Sequence, residues 1–175
     1  MLNETAPTRD HAWIAAHIPH AGRMCLLDRV VAWDASYVLC SADSHRRPDH
    51  PLRQFDRLGA ACGIEYAAQT MAVHGALVAE HGCMPDLSNT PDDGQPTLGR
   101  PGGLLVSLRT VQLHVARIDD IAAALEVCVE RLSGDAQMLL YQFRVLAGDS
   151  LLLDGRASVV LDAAGLDPSF ASTPP

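Results

Sequence analysis

The stretch LGAACGIEYAAQTMAVHGALVAE, from Leu58 to Glu80, constrains the fold of the whole chain. Ile64, Ala67, Ala68, Met71, Ala72, Ala76 and Leu77 leave it few polar positions, so the long helix it predicts must be covered on most sides rather than along one stripe. The rest of the chain supplies the cover. Upstream, LLDRVVAWD and YVLCSAD read as two strands around a turn at Asp34 to Ser36. Downstream come four extended segments, LLVSLRTVQLHVA, ALEVCVERLSG, QMLLYQFRVLAG and SLLLDGRASVVL, with SGDA and AGDS as hairpin turns between the last three. The expected class is therefore α+β, an antiparallel sheet wrapped around one buried helix.

Residues 10 to 17, DHAWIAAH, form a short predicted helix capped by Asp10 and stopped before Pro19. Residues 82 to 103 are crowded with Pro, Gly and Asp, the composition of a long surface loop. One domain over residues 1–163 and a frayed tail over 164–175 account for the 175 residues.

Composition removes several classes of function. No apolar run approaches the roughly 18 residues of a membrane span, and a net charge of −8 argues against nucleic acid as partner. MLNETAPTRDHAW lacks a basic start followed by an apolar block, so no secretory signal is expected. Five cysteines without a CxxC pair fit reduced thiols in the cytoplasm. All 13 basic residues other than histidine are arginines, which removes Schiff-base lysine and pyridoxal phosphate chemistry. The eight histidines show neither HExxH nor zinc-ligand spacing with cysteine, so neither a metal nor a cofactor is expected.

Glu65 is the chemical anomaly of the helix. The free N–H groups of a helix start favour its charged form while apolar cover disfavours it, so its proton affinity is open to tuning. Gln69, four residues on, shares its face and can hold the carboxylate in one orientation. The alternative is a helix-start Glu that points to water. Cys62 stands beside it, as a dipole-activated nucleophile or simply as one of the small residues Ala60, Ala61 and Cys62 that let the helix start pack closely. The same crowding, ending in Gly63, can leave backbone N–H groups open to a substrate carbonyl. Arg46, Arg47, Arg53 and Arg57 can receive a phosphate or an acidic surface, although interleaved aspartates also suit an ordinary mixed surface.

Two motifs are similar to a known family. IPHAGRMCLLDRV at 18–30 and GIEYAAQTMA at 63–72 resemble the opening and central-helix signatures of hotdog-fold 3-hydroxyacyl-ACP dehydratases. MCLLDRV, HPLR and GIEYAAQ look closest to the dehydratase-like proteins of aryl polyene clusters.

The resemblance implies elimination of water from a 3-hydroxyacyl thioester held on an acyl carrier protein, with Glu65 as acid and a loop histidine as base. The family's Gly-His-Phe-Pro-Gly loop is missing, which leaves His50, 15 residues before Glu65, and His45, 20 before it, as candidates. His20, in the Pro-His signature, is expected to fix the turn ahead of the first strand, and His74 and His114 to be core or interface residues. The resemblance further implies a homodimer or larger homo-oligomer whose site takes His from one subunit and Glu from the other. A hotdog thioesterase and a catalytically silent acyl-binding subunit are the alternatives.

Overall fold

A computed structural model describes residues 9–82, 104–135 and 137–161. The expected loop at 82–103, apart from Gly82, and the tail at 164–175 lie outside the described residues. Helix α1 spans His11–His17, and the Asp10 side chain accepts from the Trp13 N–H at 3.1 Å as its N-cap. The six strands are β1 (Arg29–Trp33), β2 (Tyr37–Ala42), β3 (Leu104–Leu113), β4 (Leu125–Gly134), β5 (Met138–Ala147) and β6 (Ser150–Val160). They form one antiparallel sheet in the order β1-β2-β4-β5-β6-β3. Alternation along β5 and β6 sends Tyr141, Phe143, Val145, Leu153 and Ala157 into the core.

Helix α2 (Gly63–Glu80) packs on β2, β4 and β5. Tyr66, Ala67, Val73 and Leu77 are fully buried on it, as a helix with almost no polar stripe requires. It starts later than the apolar run predicts. The Leu58 N–H donates to Asp119 Oδ1 at 3.1 Å, the Leu58 carbonyl accepts from Ile118 N–H at 2.9 Å, and Ala60 N–H donates to the Ala116 carbonyl at 3.2 Å. Residues 58–60 are thus tied to the segment at 116–118, and only a 3-10 turn at Ala60–Cys62 leads into the helix. Gly63 opens the helix because a β-carbon there would lie 2.5 Å from a Leu153 methyl. Gly75 has no such reason, although a mid-helix glycine costs about 1 kcal/mol relative to alanine.

Candidate active site

Helix α2 presents Glu65 one turn in, and the chain between α1 and β1 brings His20 against it. The His20 Nε2 to Glu65 Oε1 distance is 3.0 Å. Gln69, one turn along α2, donates from Nε2 to the same oxygen at 2.9 Å and to the Met24 carbonyl at 2.7 Å, while its Oε1 accepts from Leu26 N–H at 2.9 Å. Gln69 is fully buried, and both its amide protons and its oxygen are engaged, so it fixes the carboxylate and the loop that carries His20 together. Glu65 Oε2 has no hydrogen-bond partner among the described residues. One carboxylate oxygen is anchored and the other is available.

The hydrogen bond from His20 is the largest influence on Glu65 and holds its carboxyl below the usual glutamate range; burial opposes this and Gln69 reinforces it. Glu65 and His20 line one end of a cavity of about 490 Å³. From there the cavity follows a single face of α2 through Ala68, Ala72, Gly75, Ala76 and Ala79, with Leu139, Tyr141 and Val159 of the sheet lining it as well. An acid–base pair at the end of an apolar groove suits proton transfer on a substrate with a long apolar body.

The chain matches the model of the ApeP-like family, described as ApeP dehydratase, over residues 12–167. The chain belongs to the ApeP-like dehydratase family. Its architecture is the hotdog fold of the solved structures it resembles. The dehydratase heterocomplex ApeI:P from Xenorhabdus doucetiae has a TM-score of 0.69 at 18% identity, covering 91% of this chain and 97% of that one. Cj0977, a sigma28-regulated virulence protein from Campylobacter jejuni, has a TM-score of 0.56 at 10% identity, covering 93% and 96%. Zebra fish thioesterase superfamily member 2 has a TM-score of 0.54 at 13% identity, covering 87% and 95%. No curated protein sequence matches the chain.

In this ApeP-like dehydratase family member, the two loop histidines singled out in the sequence lie away from the groove. His45 is fully buried, with Nε2–H donating to the Ile121 carbonyl at 3.0 Å. His50 is 4% exposed and ends a hydrogen-bond chain whose direction can be read off. Ser44 Oγ donates to the Leu26 carbonyl at 2.7 Å, so Tyr66 Oη donates to Ser44 Oγ at 2.8 Å and accepts from His50 Nε2–H at 3.0 Å. His50 Nδ1 in turn accepts from Leu52 N–H at 3.1 Å. Both ring nitrogens of His50 are committed.

Burial lowers the proton affinity of His45, His50 and His74 alike. The unfolded chain therefore binds more protons than the folded one from about pH 5 to 7, so stability rises with pH in that window and is lost as pH falls through it. Thermal melting from about pH 7.5 down to 5 is expected to show a falling midpoint, with a shallower fall in His50→Gln. A flat profile in the unaltered protein would contradict the buried neutral histidines. The depressed carboxyls of Glu65 and Asp119 are protonated only below the ordinary carboxylate range, so their contribution is lost in a separate, more acid window.

The other candidates are placed as follows. Burial pushes the Cys62 thiol up, and its contact is with the Leu52 carbonyl at 3.9 Å, the opposite of an activated nucleophile. Gly63 N–H donates back to the carbonyls of Ala60 and Ala61, so the 3-10 turn consumes the donor expected to be open. Arg53 donates to Asp119 Oδ2 at 2.7 Å and to the Asp56 carbonyl at 3.1 Å, closing the loop rather than facing the groove. His114 pairs with Asp154 at 2.7 Å.

Sequence reasoning passed over His20 as a turn-fixing residue. Its signal was the Pro-His signature itself, which gives no hint that the ring reaches a helix residue 45 positions away.

Proposed function

We propose that the chain is a 3-hydroxyacyl thioester dehydratase, acting on acyl groups carried by an acyl carrier protein, with Glu65 as acid and His20 as base. The observation that carries this reading is the His20 Nε2 to Glu65 Oε1 contact of 3.0 Å at the end of the apolar groove. In the reacting form the pair holds one proton, on Glu65 Oε2, with the Nε2 lone pair of His20 free. The His20 contact holds the Glu65 carboxyl low, so this form is the minor one and the acid gives up its proton readily. His20 Nε2 takes the proton next to the thioester carbonyl, the bond from carbon 3 to oxygen breaks, and the Glu65 Oε2 proton leaves with the hydroxyl as water. This leaves an imidazolium and a carboxylate. The released water relays the proton from His20 Nε2 to Glu65 Oε2, which restores the reacting form with no net change in protons.

Arg47 and Arg57, exposed on the loop that leads into α2, suit the acidic face or the phosphate of a carrier protein, whereas Arg46 is paired with Asp43 at 2.7 Å. Edge strand β3 leaves Leu104, Val106 and Leu108 between 41% and 48% exposed, and a long apolar edge of this kind is normally covered by another chain. The protein accordingly works as an oligomer, through a second copy or through a related hotdog chain, as the ApeI:P heterocomplex illustrates for its own relatives.

Incubation with a 3-hydroxyacyl carrier thioester, followed by mass spectrometry, is expected to show loss of one water with the thioester intact. Release of the free acid would favour a thioesterase instead, and no change would favour a silent acyl-binding subunit.

A further inference from the structure

Glycine is a poor choice for the middle of a helix, and at Gly75 neither backbone nor packing calls for it. The glycines where a β-carbon would collide with neighbours are elsewhere: Gly63 would strike Leu153 at 2.5 Å, Gly134 the Met138 carbonyl oxygen at 2.6 Å and Gly155 the Phe143 ring at 2.8 Å. Among the described residues a β-carbon on Gly75 would meet nothing within 4 Å, and its φ is not in the left-handed region. What it would enter is the groove, because Gly75 lines the cavity together with Ala72, Ala76 and Ala79. These positions recur at helical spacing on the face that carries Glu65. At 1.5 Å per residue the distance from Glu65 to Ala79 is about 21 Å, so the groove continues well past the reacting end.

We propose that Gly75 is the length determinant of the acyl groove: its missing side chain keeps the channel open between Ala72 and Ala79, so the protein accepts long-chain acyl groups. This rests on the reading that the reacting carbons sit at His20 and Glu65 and the acyl tail lies along α2. A four-carbon chain ends near Ala68, short of Gly75. A sixteen-carbon chain runs beyond it. A side chain at position 75 therefore acts on the second substrate and not equally on the first.

The test compares the unaltered protein with Gly75→Ala and Gly75→Leu on four-carbon and sixteen-carbon 3-hydroxyacyl thioesters of the same carrier protein. The ratio of kcat/KM for the long chain to that for the short chain is expected to fall at least tenfold in Gly75→Leu and by a smaller factor in Gly75→Ala. Alanine and leucine both favour the helix over glycine, so both variants are expected to melt at or above the temperature of the unaltered protein. An unchanged ratio, or equal loss on both chains, overturns the proposal.

A second readout is independent of catalysis. A fluorescent sixteen-carbon fatty acid is expected to bind the unaltered protein and to bind Gly75→Leu at least tenfold more weakly. Equal dissociation constants, or no binding to the unaltered protein, overturn the length determinant. Dehydration that fails on every substrate while this binding difference persists overturns the catalytic reading alone.

Discussion

Glu65→Gln is expected to lower turnover by about a hundredfold or more, or about 2.7 kcal/mol in the barrier, with little change in melting. The substitution keeps the shape of the site. The new amide oxygen can still accept from Gln69 Nε2 and from His20, so the contacts that bind α2 to the chain at Met24 and Leu26 persist. Two chemical properties are lost at once. An amide has no acidic proton to give the leaving hydroxyl, and it cannot take up the proton that His20 must pass on before the next turnover. Steady-state turnover of purified protein, with the melting temperature as control, checks this. A variant with nearly full activity would take Glu65 out of the mechanism.

His20→Gln is expected to cost a comparable factor, and the double variant with Glu65→Gln little more than either alone, because the two groups act as one proton-handling unit. Gln can still donate to Glu65 Oε1, so the loss reports chemistry rather than collapse. A spectroscopic readout accompanies it. The His20 hydrogen bond is the largest influence lowering the Glu65 proton affinity, and burial acts the other way. Removing it altogether, in His20→Ala, should move the carboxyl titration of Glu65 to higher pH, measurable by infrared difference spectra. His50→Ala behaves differently: it leaves Tyr66 Oη and Leu52 N–H without their partner, so its expected loss is in melting temperature. If His50→Ala reduced kcat more than His20→Gln while melting normally, the base would have to be reassigned to His50.

The same pair of variants addresses how the site is shared. His20 and Glu65 meet within one chain, so a mixed oligomer of His20→Gln and Glu65→Gln contains no intact pair. Mixing the two inactive proteins is expected to restore no activity after verified subunit exchange. Recovery would show that the working His and Glu come from different subunits, as the resemblance to the dehydratases implies.

The architecture was legible in the sequence because it rests on short-range patterns. Period-two alternation marked β2, β4, β5 and β6, Asp10 marked the start of α1, and the nearly uninterrupted apolar run of α2 required a sheet to cover it. The contact between Glu65 and Gln69 was legible for the same reason, since four residues on a helix bring side chains together whatever the surroundings. The start of α2 was misread because Leu58 and Ala60 hydrogen-bond to residues 116–118, partners that no local pattern reveals. The histidines needed the tertiary structure most of all. His50 is nearer to Glu65 along the chain, yet it hydrogen-bonds to Tyr66, whose side chain is fully buried in the core. His20 is 45 residues away, and it reaches Glu65 because Gln69 binds Met24 and Leu26 and so holds the segment that carries it. Sequence spacing reports proximity only inside a regular element; between elements the loop path and its buried hydrogen bonds decide which histidine faces the carboxylate.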